Sequence, residues 1–413
     1  MNTRYEQRTA SSRELRAAFR KALPGGDTRS VASFAPYPVV VDRGAGARVW
    51  DVDGNDYLDL LNNYTSLVHG HAHPQVTQAI VDSARLGTVH PAPHRSQLVL
   101  ADLLIERYPA VEQVRFTNSG SEAAILAARL VRHLTGRRRV ILMDGGYHGT
   151  GQLFADPHPD VVRVPFNDVD ALTEALDETV AGVFAEPFLG SAGVIPADPA
   201  YLHAVQQHSR RVGALFVLDE IQALRSAFHG THAALGLDPD LLLMGKIIGG
   251  GLPVGAVGGR AELLADLSTD SGPALPHSGT FNGNVLSMSA GQVVMSLLDE
   301  SAIATLDKRA ADLADDIESL GRARHLHVSV TRAGSIMHVH FLAKPPTDAA
   351  SARQGDRQLN AALHLELLNE GVYTAPRGML NLSTALEDGD LEYVHSAYDR
   401  ALTSVANDPR AQL

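Results

Sequence analysis

Six short apolar runs recur through the middle of the chain: VRFTN (114–118), RVILMD (139–144), VVRVPF (161–166), AGVFAEP (181–187), ALFVLDE (214–220) and LLLMGK (241–246). Helical stretches lie between them, among them SEAAILAARLVRHL (121–134), VDALTEAL (169–176) and PAYLHAVQQHSRRV (199–212). Short apolar strands alternating with helices predict a mostly parallel sheet covered by helices on both faces. Ligands of such sheets bind beyond the carboxyl ends of the strands. Four of the six runs lead there into polar or glycine-rich residues (FTNSGSEAA, GGYHG, LDEIQ and GK), so one crevice is expected to collect them.

The two ends of the chain have a different texture. Near the start, Leu15, Phe19 and Leu23 fall at four-residue spacing and Pro24-Gly25-Gly26 follows, which predicts an amphipathic helix packed through that face. Residues 37–61 alternate β-rich runs with turn signals at Gly44, Gly46 and Asp53-Gly54, as a small antiparallel sheet would. After about residue 300, a helical stretch (303–320) precedes HVSVTR, SIMHVHFLA, a helix near 357–370, GVYTAP and MLNLST, the order of an α+β lobe. The expected division is 1–65 for the arm and a small-lobe segment, 66–300 for a large domain and 301–413 for a C-terminal small domain.

Charge and composition exclude several classes. With 35 Lys+Arg against 47 Asp+Glu, the net charge of −12 repels a polyanion, and no basic run reverses it locally, so nucleic-acid binding is not expected. The absence of cysteine removes disulfides and thiolate chemistry. A polar start and the lack of any long apolar stretch predict a cytoplasmic protein without a membrane segment.

Three places carry chemistry. NSGSEAAILAARL has the form of a glycine-containing turn opening a helix, where free N–H groups and the positive dipole end suit a phosphate; Ser121 could add a hydroxyl or simply cap the helix. Asp219 and Glu220 follow a hydrophobic strand, where a carboxylate calls for a cation: a protonated pyridine nitrogen, Lys246 or a metal. Lys246 stands alone in MGKIIGGGLPVGAVGGR, with Arg260 at the far end the only other charge. Desolvation there would lower its pKa and leave a neutral amine able to form an imine with a carbonyl. His69, His71 and His73 recur at two-residue spacing, but no HExxH motif or acidic ligand accompanies them, and no metal is expected.

Together these stretches resemble the class III, fold-type I aminotransferases that use pyridoxal 5′-phosphate. The matching segments are GARVWDVDGNDYLDLL, GHAHP, FTNSGSEAAILAARL, GGYHG, AEPFLGSAGVIP, GALFVLDEIQ, PDLLLMGKIIGGGLPVGAVGGR and HSGTFNGNVLSMSAG, from about residue 35 to 295. The resemblance implies an α/β fold with a mostly parallel seven-stranded sheet between helices, plus a small α+β lobe built from both chain ends. It implies that Lys246 holds the cofactor aldehyde as an aldimine and that Asp219 pairs with the pyridine nitrogen. Tyr147 is similar to the ring-stacking aromatic, Ile221 to the apolar residue on the other ring face, and Gln222 to the partner of the phenolic oxygen. Gly120 and Ser121 would hold the phosphate. Thr280 would reach the phosphate of a neighbouring subunit, which implies a homodimer with shared sites.

Within that family the chain ends resemble the β-amino acid transaminases of the β-phenylalanine type. Arg29 and Arg377 match two arginines that flank the site in that group, and each could grip a carboxylate bidentately. Tyr64 and His94 lie in the segments expected to set side-chain selectivity. The resemblance implies a small-molecule amino donor and a keto acid acceptor; the alternative is an aminomutase of the glutamate-1-semialdehyde type, which shares the cofactor residues.

Overall fold

Each of the six apolar runs forms a strand in the computed structural model, which describes residues 2–155, 157–268, 270 and 274–407. They are β1 Gln113–Thr117, β2 Arg139–Met143, β3 Val161–Val164, β4 Val180–Ala185, β5 Leu215–Asp219 and β6 Leu241–Gly245. A seventh, β7 Gly255–Gly259, completes a sheet of order β1-β7-β6-β5-β4-β2-β3. Strands β2 to β6 run parallel, and β7 lies antiparallel between β6 and β1. Every residue of β4, β6 and β7 is buried, the reason these runs are continuously apolar instead of alternating. Helix Gly120–Thr135 packs Ala123, Ala127, Leu130 and Val131 into the core that the sheet shares.

Strand β7 escaped the periodicity reading because its sequence is GAVGG, and glycine is a poor strand former. The glycines answer a packing demand. A Cβ on Gly258 would stand 2.7 Å from Met244 Cε, and one on Gly259 2.7 Å from the carbonyl oxygen of Asp240.

The chain divides into two compact units: residues 74–304 with 347–350, and residues 1–73, 305–346 and 351–413. The first holds the seven-stranded sheet. In the second, Val41–Ala45, Arg48–Asp51 and Asp56–Asp59 form an antiparallel sheet, to whose edge Val372–Tyr373 adds in parallel, so both ends of the chain share one sheet. Ser329–Ala333, Ile336–His340 and Met379–Asn381 form a second antiparallel sheet there.

The N-terminal arm differs from expectation. Two helices, Asn2–Arg8 and Ala10–Ala22, replace one, and the buried side of the second carries Ser12 and Arg16 while Leu15 and Phe19 are exposed. Polar anchoring decides the face. Asp53 accepts hydrogen bonds from the N–H groups of Ser11 and Ser12 and from the Ser12 hydroxyl, and Arg16 donates to the carbonyls of Gly25 and Gly26. Among the described residues, no helix is long and apolar enough to cross a membrane.

Candidate active site

The carboxyl end of β1 turns directly into helix Gly120–Thr135. Ser119, not Ser121, is the N-cap: its hydroxyl accepts from Glu122 N at 3.2 Å, while Glu122 accepts from Asn118 N at 2.7 Å. The capping alternative for Ser121 is thereby taken by its neighbour. The N–H groups of Gly120 and Ser121 open the helix with no intrahelical acceptor, beside the positive end of a sixteen-residue helix.

At the end of β5, Asp219 is buried and its Oδ1 accepts from Ile221 N at 3.0 Å. Its partner is His148, whose Nδ1 lies 2.8 Å from Oδ2. Burial alone would push His148 down, yet the hydrogen bond to Asp219 and the charges of Asp219 and Glu186 outweigh it and raise the imidazole above its usual range. Among the described residues its buried Nε2 has no hydrogen-bond partner. Glu220 serves the fold: Oε1 accepts from the N–H and Nδ1 of His232 at 2.7 and 2.8 Å, and Oε2 from Thr231 N at 2.8 Å.

Glu186, following β4, is the second buried acid of the crevice. It accepts from Tyr147 N at 2.9 Å and Gly190 N at 3.4 Å, so it links two loops through their backbones. Burial pushes it up to about 7, with the His148 charge acting against that rise and the Asp219 charge adding to it.

Lys246 follows β6, with burial pushing its amine down and the charges of Asp219 and Glu186 only partly offsetting this. Among the described residues its Nζ makes no hydrogen bond. The backbone at Lys246 is left-handed, φ 50, a conformation that costs a non-glycine residue roughly 1–2 kcal/mol. Strain of this kind gathers at functional positions.

Around these charges the chain withholds side chains. A Cβ on Gly149 would lie 2.2 Å from Ser121 Oγ, one on Gly120 2.6 Å from Ile221 Cδ1, and one on Gly190 1.9 Å from Gln222 Oε1. Ser121, Ile221 and Gln222 are thus brought to one cradle by three glycines. The Tyr147 ring is about half exposed and free to cover a flat ligand. Thr280 and Phe281 sit on an exposed turn. Gly249, Gly250 and Gly255 serve packing inside the chain, against Val254, Ala290 and the Ser119 carbonyl.

His94 caps helix Arg95–Arg107, accepting from Ser96 N at 3.3 Å, and its ring stacks on His90. In the second unit, burial raises the Tyr64 hydroxyl pKa while the charges of Arg377 and Arg29 pull it back, so both arginines act on one side chain. Arg29 and Tyr64 also line a pocket of about 140 Å³ with Val41, Leu61, Tyr373 and Pro376. His71 Nε2 lies 2.6 Å from Asp59 Oδ2 and His69 Nδ1 lies 2.7 Å from the Thr384 hydroxyl. His148, Glu186 and Asn63 (below) were not singled out by sequence reasoning, although GGYHG and AEP stand in the matched segments.

A helix start for a phosphate, a buried acid for a ring nitrogen, glycine-cleared space and an unpartnered, desolvated amine fit pyridoxal 5′-phosphate, so fold and site together define a pyridoxal-phosphate enzyme of the α/β type. Residues 30–387 match the aminotransferase class-III family, and the chain belongs to it. It is 37% identical to a β-phenylalanine transaminase from Variovorax paradoxus over 93% of this chain and 90% of that one. It is 36% identical to a glutamate-1-semialdehyde 2,1-aminomutase from Geobacillus kaustophilus over 92% and 95%. The crystal structure of an omega-transaminase from Sphaerobacter thermophilus matches with a TM-score of 0.92 at 35% identity, over 96% of this chain and 98% of that one. The family's cofactor is pyridoxal 5′-phosphate.

Proposed function

We propose that the chain is a transaminase that moves an amino group between a β-amino acid, or the matching β-keto acid, and a keto acid such as 2-oxoglutarate or pyruvate. The observation that carries the β-amino acid reading is a pocket of about 140 Å³ lined by Arg29 and Tyr64, with the charges of Arg29 and Arg377 both lowering the burial-raised pKa of the Tyr64 hydroxyl. A cavity of roughly 150 Å³ holds a benzene ring, so the pocket suits a phenyl or branched alkyl group next to a cation for its carboxylate.

Bound pyridoxal phosphate supplies an aldehyde to carry the nitrogen and a ring to accept electrons from the substrate carbon. The chain's residues do the rest. Gly120, Ser121 and the helix dipole would hold the phosphate; Asp219, steadied by His148, would keep the ring nitrogen protonated; Tyr147 and Ile221 would flank the ring, and Gln222 would meet its phenolic oxygen. Lys246, whose amine is pushed down by burial, would take up at Nζ the proton from the carbon bearing the amino group. Arg29 and Arg377 orient the substrate through its carboxylate. Thr280, on its exposed turn, would reach the phosphate of a second copy, so the working form would be a homodimer.

Similarity to an aminomutase at nearly equal identity keeps an intramolecular amino transfer as the second reading. The test is the absorption of the purified holoenzyme with α-, β- and ω-amino acids added singly. A β-amino acid should convert the cofactor once and stop until a keto acid is supplied. Response to α-amino acids alone would sink the β-amino acid reading, and sustained turnover without a keto acid would establish the mutase.

A further inference from the structure

Residues Asn62–Thr65 form a turn that is left-handed throughout, with φ of 48, 48, 55 and 76 at four successive non-glycine positions. Each costs roughly 1–2 kcal/mol, less for asparagine, so the turn must be held from outside. Asp59 Oδ1 accepts from the N–H groups of Leu61 and Asn62 at 2.8 and 2.9 Å. Asn62 Nδ2 donates to the Asn381 carbonyl at 2.9 Å, and Asn381 Nδ2 donates to the Leu61 carbonyl at 2.7 Å. These bonds fix the buried side. On the outer side, the Tyr64 hydroxyl donates to the Val31 carbonyl at 2.6 Å, and Arg29 Nη1 donates to Asn63 Oδ1 at 2.5 Å.

The geometry points to Asn63 as the positioning residue for Arg29: a neutral acceptor, presented by a strained turn, that fixes the guanidinium while leaving its charge and remaining N–H groups for a substrate carboxylate. This rests on the proposed role of Arg29. Guanidinium has five N–H donors in a fixed fork, so one bond to an amide oxygen orients it without exhausting it. A carboxylate at position 63 would instead pair with Arg29 and compete with the substrate. Tyr64 complements the arrangement by holding the backbone of residues 30–32 against the same turn.

Aspartate and glycine both accept positive φ, so Asn63→Asp and Asn63→Gly retain the turn. The holoenzyme, these two variants and Arg29→Met are titrated calorimetrically with 3-phenylpropanoate, which carries the carboxylate without the amine. The dissociation constant should rise at least about tenfold in Asn63→Asp and about threefold in Asn63→Gly. With a β-amino acid donor, KM should rise in parallel while kcat stays within about twofold, a split that loss of folding would not produce. Both Asn63 variants binding within about twofold of the parent, with Arg29→Met at least about tenfold weaker, would overturn the Asn63 proposal alone. If Arg29→Met binds as the parent does, or the parent does not bind at all, the carboxylate role of Arg29 fails and this inference with it.

Discussion

Nδ1 of His148 stands 2.8 Å from Oδ2 of Asp219, and both side chains are buried at the carboxyl end of the sheet. The bond fixes the orientation of the carboxylate that the cofactor's ring nitrogen would meet, and a charge-assisted hydrogen bond of this kind contributes about 1.5–3 kcal/mol.

His148→Gln removes the imidazole and retains bulk. The affinity of the apo-protein for pyridoxal phosphate, read by absorbance titration, should fall roughly 10–100-fold, the equivalent of that hydrogen bond. Affinity unchanged within experimental error would show that Asp219 needs no support from His148.

Glu186 gives the site its pH dependence near neutrality. Burial pushes its folded pKa up to about 7 from the ordinary 4.5, so the folded state holds a proton that the unfolded chain has released between those values. Its contribution is complete below pH 4.5 and is lost as pH rises through about 7. Glu186→Gln keeps an acceptor for Tyr147 N but cannot titrate. In thermal denaturation of the apo-protein, the parent should therefore lose stability relative to Glu186→Gln between pH 5 and 7.5; parallel curves would refute the assignment.

Lys246 and Asp219 stood out in the sequence for a simple reason: a charge at the end of a long apolar run is expensive unless it has a use. The six strands were legible as short apolar runs between helical stretches, most clearly Val180–Ala185 and Leu241–Gly245, whose residues are all buried. What the sequence hid depends on meetings between distant segments. His148 acquires its role only by meeting a residue 71 positions on, and Asn62 by pairing with a residue 319 positions on. Strand β7 was hidden by its glycines, whose purpose lies in their neighbours, and the cap fell to Ser119 because the chain turns one residue before Gly120. The exposed Leu15 and Phe19 show how polar anchors at Asp53 and Arg16 override a hydrophobic stripe.

Gly149 and Gly136 both have positive φ, 90 and 66, but differ in surroundings. A Cβ on Gly136 meets nothing within 4 Å, so Gly136→Ala should cost only the backbone strain, about 1–2 kcal/mol, and leave cofactor affinity intact. A Cβ on Gly149 would lie 2.2 Å from Ser121 Oγ and 2.6 Å from its Cα, so the backbone of the phosphate turn must move. Gly149→Ala should weaken pyridoxal phosphate binding at least about tenfold. Equal cofactor affinity in the two variants would place Ser121 outside the phosphate site.

Lys246 supplies the last prediction. Burial depresses its amine, with the Asp219 and Glu186 charges opposing. A lysine whose folded pKa lies below the unfolded 10.5 penalises the folded state most at pH values below that folded pKa, and the penalty fades as pH approaches 10.5. Lys246→Met removes the titrating group and leaves an apolar chain of similar length. The apo variant should therefore melt higher than the parent at pH 7, and the gap should narrow toward pH 10. Turnover should fall by roughly 10²–10⁴-fold or more if this amine is the proton-transferring group proposed above. The two readouts separate function from fold: a variant that is stabler and inactive has lost a group kept for chemistry, whereas one that melts lower at pH 7 would show that the buried amine holds the site together.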